Sequence, residues 1–591
     1  MVSSINTSGI SVGSDGKVKI SGLSSSIDSQ AIIDAAVTAR RIPAVKLESK
    51  ITANQDLISA YGELKTLASS VTTALDQLRG SNSFLSDNVF RKKSVSGSTL
   101  ATDTAPATHV PSDISSLINV TVQNSAQNAS HTITIQQLAK AHQLRSDSFS
   151  STGTALATLG ATTGDFDING VTINLDGDDT LVDLRGKINA ANAGVTATIV
   201  SADASTHYLV ITSDDTGLAN TVDFAGGNAI SDSLGLTNLG AVKNELVAAK
   251  DAIVDVDGIT GITRSSNDID DVIEGVTLSL LKAEVDTEIN LKVEPDLVSI
   301  KGAVVDLVTA YNDVRTFYDD QRTTADRNGD GAVGDSEFGP LARDNVLRQM
   351  VDKLGQFAAG EVSGNTDGYR SLSQLGITVT SDYKLQLDDA VFDAKLIGDV
   401  DSVRALFGFE FTSSDARLNY LGRTDATQSG TYYVNIGGTD VDGNITSANI
   451  QTAAVVGNGG ADDGSLTVSA KQAYATNGTA AEGLNLFFNG TGSLGAVDDI
   501  AITISRGLAD SFYDYFNDIT KLSGTVDTRV QELGDTNAKY QEDIDKIDVR
   551  IETYRQTMEL KFVRMETALA QLESLKQSLS SYFDASNSSN N

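Results

Sequence analysis

Counting alternately by four and three residues from Val526 reaches Val530, Leu533, Asn537, Tyr540, Ile544, Ile547, Ile551, Tyr554, Met558, Lys561, Met565, Ala568, Leu572, Leu575 and Leu579. Only Asn537 and Lys561 in that row are plainly polar. An apolar repeat of 3.5 residues makes a narrow seam that must be buried against another helix. At 1.5 Å per residue the predicted helix is about 80 Å long, a rod and not a core helix. A shorter row with the same spacing, Leu57, Tyr61, Leu64, Ala68, Val71, Leu75 and Leu78, lies in a breaker-free stretch from Pro43 to Leu78. Pro43 suits a first helical position, where no amide is needed. Before it, Asp28 is placed to cap a separate short helix carrying Ile32, Ile33, Ala36 and Val37 on one side. Residues 1–27 and 584–591 have no sustained pattern and read as tails.

Two arrangements satisfy the seams. One is a coiled-coil homodimer; the other is a pair of terminal helices that pack on each other and on neighbouring subunits. Asn537 fits both, because a polar seam residue sets register at a cost in stability.

Between the helices the period shortens. Ile118–Val122, Thr132–Ile135, Val171–Leu175 and Tyr208–Ile211 alternate as half-buried strands, with turn signals at Asn169-Gly170, Asp176-Gly177 and Asp257-Gly258. A short helix is expected over Leu181–Ala193, where Leu181, Leu184 and Ile188 share a face. Helices follow at Leu297–Tyr318 and Pro340–Phe357, strands at Ile377–Leu387, and a Gly- and Thr-rich strand region at Thr424–Ser505 with Tyr432–Ile436 and Ile500–Ile504 as its clearest members. The last helix is expected to begin near Leu508. The fold class is therefore α+β multidomain: long terminal helices, coiled-coil-like legs, bracketing strand-rich, sandwich-like head domains.

The expected divisions are a flexible tail with a short helix over 1–42, a leg helix and strand over 43–95 and strand-rich heads over 96–295. They continue with a helical leg region over 296–415, a further strand-rich domain over 416–507 and the C-terminal helix and tail over 508–591.

Composition narrows the function classes. A formal net charge of -34 argues against nucleic acid and anionic membranes, which both need clustered Lys and Arg. No apolar run approaches the ~20 residues of a membrane span, and Met1–Gly22 lacks the basic start and apolar centre of a cleaved signal. With no cysteine there are no disulfides, thiolate zinc sites or cysteine nucleophiles. His109, His131, His142 and His207 stand singly, with no ligand-pair spacing, and read as solvated or core residues. No nucleophile elbow or phosphate-binding glycine loop appears, so an enzyme is not expected, although a hidden glycosidase pair among the many carboxylates stays open.

One segment carries explicit metal chemistry. Asp326-Arg327-Asn328-Gly329-Asp330-Gly331-Ala332-Val333-Gly334-Asp335-Ser336-Glu337 fits an EF-hand calcium loop. Asp326, Asn328, Asp330 and Glu337 offer side-chain oxygens, Ala332 its carbonyl, and Gly331 the sharp turn. Gly334 leaves the ninth position to a water, and Pro340 restricts a helix leaving at Glu337. The alternative is an acidic surface turn.

Several local signatures together resemble one family. Gly22-Leu23-Ser24-Ser25-Ser26-Ile27-Asp28, Arg40-Arg41-Ile42-Pro43 and Ile58–Lys65 are similar to the N-terminus of hook-associated protein 2, the bacterial flagellar filament cap. Asp167-Ile168-Asn169-Gly170, Ile188-Asn189 and Gly194–Ala197 resemble the Ile-Asn motif shared by flagellins and these caps. Val256-Asp257-Gly258-Ile259, Ala310-Tyr311-Asn312, Ala405-Leu406-Phe407-Gly408, Ser505-Arg506-Gly507-Leu508 and Leu569–Leu572 continue the match in order.

The resemblance implies a structural cap that promotes flagellin folding and insertion, with possible adhesion. It further implies a homo-oligomeric ring of about five subunits, flagellin and hook-filament junction proteins as partners, and a cytoplasmic export chaperone. Secretion through the flagellar type III apparatus to the extracellular filament tip, without membrane insertion, belongs to the same picture. Leu57, Tyr61, Leu64, Val71, Leu75, Leu78, Ile544, Ile547, Ile551, Tyr554, Met558, Met565 and Leu572 are then the expected contacts with other subunits or flagellin. The calcium loop lies outside the resemblance. A rival class is an exported, calcium-braced adhesin binding glycans or mucin; it accounts for the Gly/Thr-rich strands but not for the terminal heptads.

Overall fold

The computed structural model describes residues 10–12, 18–20, 28–80, 88–225, 227–323, 338–362, 368–424, 426–452, 464–476 and 481–588. The chain divides into two compact units, one of residues 1–79, 304–392 and 405–591, the other of residues 80–303 and 393–404.

The first unit is framed by two helices, Ser29–Arg79 and Thr525–Ser588. Pro43 lies inside the first of them, so the short helix and the leg helix expected from sequence are one, and the division expected at 42/43 falls within it. Inside a helix proline removes its own amide bond to the preceding turn and crowds the carbonyl four residues back, a cost of about 3 kcal/mol that the surrounding contacts must offset. Good helix formers surround it at Ala35, Ala36, Ala39 and Ala44. Contacts on both sides of it, Arg41 with Asp548 before and Asn54 with Asn537 after, hold both arms to the same partner helix.

The C-terminal helix departs from expectation in the other direction. It is two helices, Leu508–Thr520 and Thr525–Ser588. Ser523 has φ 58°, and a Cβ on Gly524 would stand 2.4 Å from the Asp518 carbonyl oxygen, so a tight turn needs glycine there. Helix Asn345–Ala358 likewise starts later than expected, beyond Pro340, because Asp344 caps it by accepting from Val346 N (2.8 Å) and Leu347 N (3.1 Å).

Residues 409–506 of this unit form an antiparallel eight-stranded sheet. In spatial order its strands are Phe409–Ser413, Val497–Arg506, Gly430–Ile436, Ala448–Gln451, Ser465–Ser469, Gln472–Ala475, Asn485–Phe488 and Leu418–Gly422. The two outermost strands are consecutive in the chain, and the Tyr420 ring meets Phe409 at 4.7 Å and Phe411 at 5.8 Å, so the sheet curls back towards its own edge. Val434, Ile436, Ile450, Leu486, Phe488, Ile502 and Ile504 fill the interior. The chain enters and leaves this block side by side: Phe409 pairs with Arg506, and Gly507 N donates to Gly408 O at 2.7 Å.

The second unit holds two cores. One is a sandwich. A five-stranded sheet, in the order Ile259–Arg264, Ala252–Val256, Ala129–Gln137, Thr287–Pro295, Lys93–Ala101, faces a three-stranded sheet of Asp268–Ile273, Val276–Leu280 and Ile118–Val122. Alternate residues point inward, Val254, Ile289 and Leu291 from one sheet meeting Ile118, Leu278 and Leu280 from the other.

The other core contains the Ile-Asn motif. A four-stranded sheet (Glu245–Val247, Ala141–Arg145, Thr206–Thr216, Val195–Asp203) packs with helix Leu181–Ala190 and the hairpin Gly164–Ile168/Val171–Leu175. Ile168 and Ile188 are fully buried. The asparagines beside them are staples. Asn169, at φ 53° in the hairpin turn, donates to Ala193 O (2.8 Å) and accepts from Asp223 N (2.8 Å). Asn189 holds both backbone groups of Ala197, accepting from its N–H at 2.6 Å and donating to its carbonyl at 3.0 Å.

Candidate assembly surface

The two framing helices run antiparallel. Lys65 pairs with Asp527, the Asn54 amide donates to Asn537 Oδ1 at 2.8 Å, Arg41 reaches Asp548 at 3.2 Å and Asp34 reaches Arg555 at 2.7 Å. Residue numbers thus fall on one helix as they rise on the other. Arg40 lies 3.9 Å over the Tyr554 ring and Lys50 5.4 Å over Tyr540, so cations on the first helix meet aromatic seam residues of the second. Lys65 holds the Asp527 carboxyl below its ordinary value, and Glu48, then Asp548, raise the Arg41 guanidinium. These exposed ion pairs set register more than they stabilise.

The N-terminal seam is consumed inside the chain. Tyr61, Leu64, Val71, Leu75 and Leu78 are buried, and Leu57 is half-buried. Their apolar surface closes the bundle formed with helices Leu508–Thr520 and Thr525–Ser588, so the five buried residues are not a surface for partners. The Tyr61 hydroxyl donates to Asp344 Oδ2 at 2.6 Å; burial, and then that carboxylate, push its phenol up to about 12.

The C-terminal seam divides in two. Ile544 is buried, and Ile547, Ile551, Tyr554, Met558 and Met565 are half-buried. Beyond them the helix outruns its partner, because Asp34 already faces Arg555 and the first helix begins at Ser29. From there the apolar positions face solvent: Leu572 is 63% exposed, Leu575 62% and Phe583 61%, with Leu579 and Tyr582 exposed as well.

Where the eight-stranded block joins the frame lies a buried charge cluster that sequence reading missed. Asp510, in the first turn of helix Leu508–Thr520, is bracketed by Arg423 and by Arg506 Nε at 2.8 Å, and Arg506 also reaches Asp514 at 3.0 Å. The side chains of Arg423 and Asp510 are 0% and 1% exposed. Burial, and then Arg506, push the Arg423 guanidinium down to about 10, which leaves it charged at neutral pH. The sequence signal was a lone Arg423 in a Gly/Thr-rich stretch and an acid three residues into a helix after Arg506-Gly507.

Asp326, Asn328, Asp330, Ala332 and Glu337, the expected calcium ligands, lie outside the described residues. Among the described residues no group of three or more His, Asp or Glu side chains is placed to hold a metal ion, and no helix is long and apolar enough to cross a membrane. The histidines have local partners. Buried His142 accepts from Val222 N at 3.0 Å and faces Glu245 at 3.1 Å, His131 faces Asp257 at 2.7 Å, His109 meets Thr287 at 2.8 Å and His207 meets Ser201 at 2.6 Å.

Three family models match the sequence in order along the chain. The family described as "Flagellar hook-associated protein 2 N-terminus" matches residues 25–142, "Flagellin hook IN motif" residues 158–215, and "Flagellar hook-associated protein 2 C-terminus" residues 249–574. The A-type flagellar hook-associated protein 2 of Pseudomonas aeruginosa is 29% identical over 420 residues, 66% of this chain and 80% of that protein. The flagellar hook-associated protein 2 of Escherichia coli (strain K12) is 29% identical over 400 residues, covering 65% and 79%. A crystal structure of the D1-D2-D3 domains of the Escherichia coli flagellar cap protein is 28% identical, covers 59% of this chain and 90% of that one, and gives a TM-score of 0.43. The last of the three family matches alone spans more than half of the sequence, and the chain belongs to the flagellar hook-associated protein 2 family.

Proposed function

We propose that this chain is the structural cap at the distal end of the flagellar filament, where it holds flagellin for folding and insertion and prevents its loss. The observation that carries the reading is the ordered family match, from residue 25 to residue 574, laid over a chain whose two ends fold into one helical leg. The adhesin reading draws no support from the geometry or from the relatives.

The protein acts by binding and not by catalysis. Its partners are other copies in a ring of about five, flagellin below, the hook-filament junction proteins on which the cap first assembles, and an export chaperone before secretion by the type III route. The surface that the leg offers to them is the exposed C-terminal seam, Leu572 onward, with the half-buried Met558 and Met565 leading into it. The loop over 326–337 binds one calcium ion through Asp326, Asn328, Asp330, the Ala332 carbonyl and Glu337, a reading that rests on its residue pattern.

Truncation after Glu566 tests the function. The shortened chain should keep its melting profile and lose only the helical circular dichroism signal of the removed turns, yet a cap-deletion strain carrying it should release monomeric flagellin and grow no filaments. Full-length filaments from that strain would overturn the reading. For the loop, titration calorimetry of the full chain should show calcium heat that Asp330→Ala removes; no heat from the unsubstituted chain counts against the site.

A further inference from the structure

The joint between the eight-stranded block and the helical frame gathers more positive charge than its buried carboxylates cover. Three arginines from separate stretches of the chain reach one face of helix Leu508–Thr520. Arg423, within the block, and Arg506, at its end, bracket Asp510, and Arg506 continues to Asp514. Arg79, the last residue of helix Ser29–Arg79, lies 3.4 Å over the Tyr513 ring. Tyr513 and Asp514 follow Asp510 at i+3 and i+4, so the three share a helix face and bring the guanidiniums into one neighbourhood. The Tyr420 phenol lies in it too: burial pushes it up to about 12, and Arg423, then Arg79, pull against that.

Two nitrogens of this cluster have nothing to donate to. Among the described residues Arg79 Nη1 and Arg423 Nε are buried without a hydrogen-bond partner, although the rest of each guanidinium is engaged. Arg79 Nε donates to Asp76 at 2.8 Å, Arg423 Nη1 donates to the Thr424 carbonyl at 3.1 Å, and Arg423 Nη2 donates to Asp510. Buried donors are nearly always paired, and a charged donor left unpaired is among the costliest groups to bury. The two orphans belong to neighbouring cations, so one acceptor can serve both.

The charge count says what kind of acceptor that is. Asp510 and Asp514 face three guanidiniums, while Asp76, the partner of Arg79, is 56% exposed and screened by water. A water molecule can accept from the orphaned N–H groups but leaves the excess charge in place; an anion does both. The side chains of Arg423 and Asp510 are almost wholly enclosed and that of Arg79 is 11% exposed, which suits a monatomic ion better than a tetrahedral oxyanion.

We propose that this cluster is an anion-binding site that takes one chloride-sized ion between Arg79 Nη1 and Arg423 Nε. The ion ties the end of the first long helix to the block and to helix Leu508–Thr520, so the seating of the block responds to the halide around it. The site stands independently of the cap reading.

Urea unfolding of the full chain, followed by circular dichroism at constant ionic strength, separates a bound ion from general screening. Sodium chloride should raise the midpoint over sodium gluconate, whose anion is too large to enter, by about 0.5 M for each tenfold of chloride above its dissociation constant. Arg79→Gln should remove the difference, and Lys46→Gln, which alters an exposed cation earlier on the same helix, should keep it. Crystals of the unsubstituted chain grown in bromide should show an anomalous-scattering peak between Arg79 and Arg423, a readout that does not depend on the Arg79→Gln variant folding. Equal midpoints in the two salts would mean a water molecule at the site and overturn the proposal. A chloride increment that survives Arg79→Gln, or bromide crystals with no peak at the cluster, would overturn it as well.

Discussion

The buried Asp510 carboxylate offers the sharpest energetic test of how the eight-stranded block is held. Asp510→Ala leaves Arg423, with a fully buried side chain, without its Asp510 carboxylate, and removes the carboxylate that Arg506 Nε meets at 2.8 Å. Removing one partner of a buried pair costs about 3–5 kcal/mol, chiefly because the remaining charge stays desolvated. Replacing both by apolar groups, Arg423→Met/Asp510→Leu, removes the charge and its hydration cost together and should recover most of that loss. The chain has no tryptophan, so unfolding is followed by far-ultraviolet circular dichroism in urea. With a slope of about 2–3 kcal/mol per molar, the single variant should lower the midpoint by about 1–2 M. Hydrogen exchange should localise the loss to residues 409–506 and helix Leu508–Thr520. A single-variant cost below about 1 kcal/mol, or a double variant as damaged as the sum of both singles, would refute the reasoning.

Three further outcomes follow from the hydrogen-bonded sites. Tyr61→Phe removes the buried donor to Asp344 and should cost about 1–2 kcal/mol in urea unfolding, with no effect on the 80–303 unit. Asn189→Ala should loosen the Ile-Asn core by about 1 kcal/mol, read as faster exchange at the Ala197 amide; unchanged exchange there would count against the staple. Glu284 is held well below its ordinary 4.5 by Lys282, and then by Ser112 and Thr287. Its contribution to stability is therefore fully present above 4.5 and is lost as pH falls through the depressed folded value, so Glu284→Gln should flatten the acid side of the stability profile.

Much of the fold was legible because the local signals were unopposed. The strands Ile118–Val122 and Val171–Leu175 lie where alternation placed them, and Leu181, Leu184 and Ile188 share the buried face of a helix. What the pattern could not show was who buries whom. The heptads at Leu57–Leu78 and Val526–Leu579 look alike in sequence, yet one is spent inside the chain while the other ends in solvent, because the helices overlap over only part of their lengths. Pro43 and Pro340 misled in opposite ways. At Pro43 tertiary contacts on both arms outweigh a missing amide bond; at Pro340 a better cap, Asp344, sits four residues downstream. The Arg423–Asp510 cluster was invisible because its members are 87 residues apart and only the curled sheet brings them together.

The Gly408–Gly507 junction makes the eight-stranded block a cassette. Two backbone ends that share a hydrogen bond at 2.7 Å can be bridged by any insert whose own termini lie close together. Lineages can thus lengthen or swap this segment without disturbing the helices on either side, and an engineer can graft a foreign antigen or enzyme there for display at the tip of a growing flagellum.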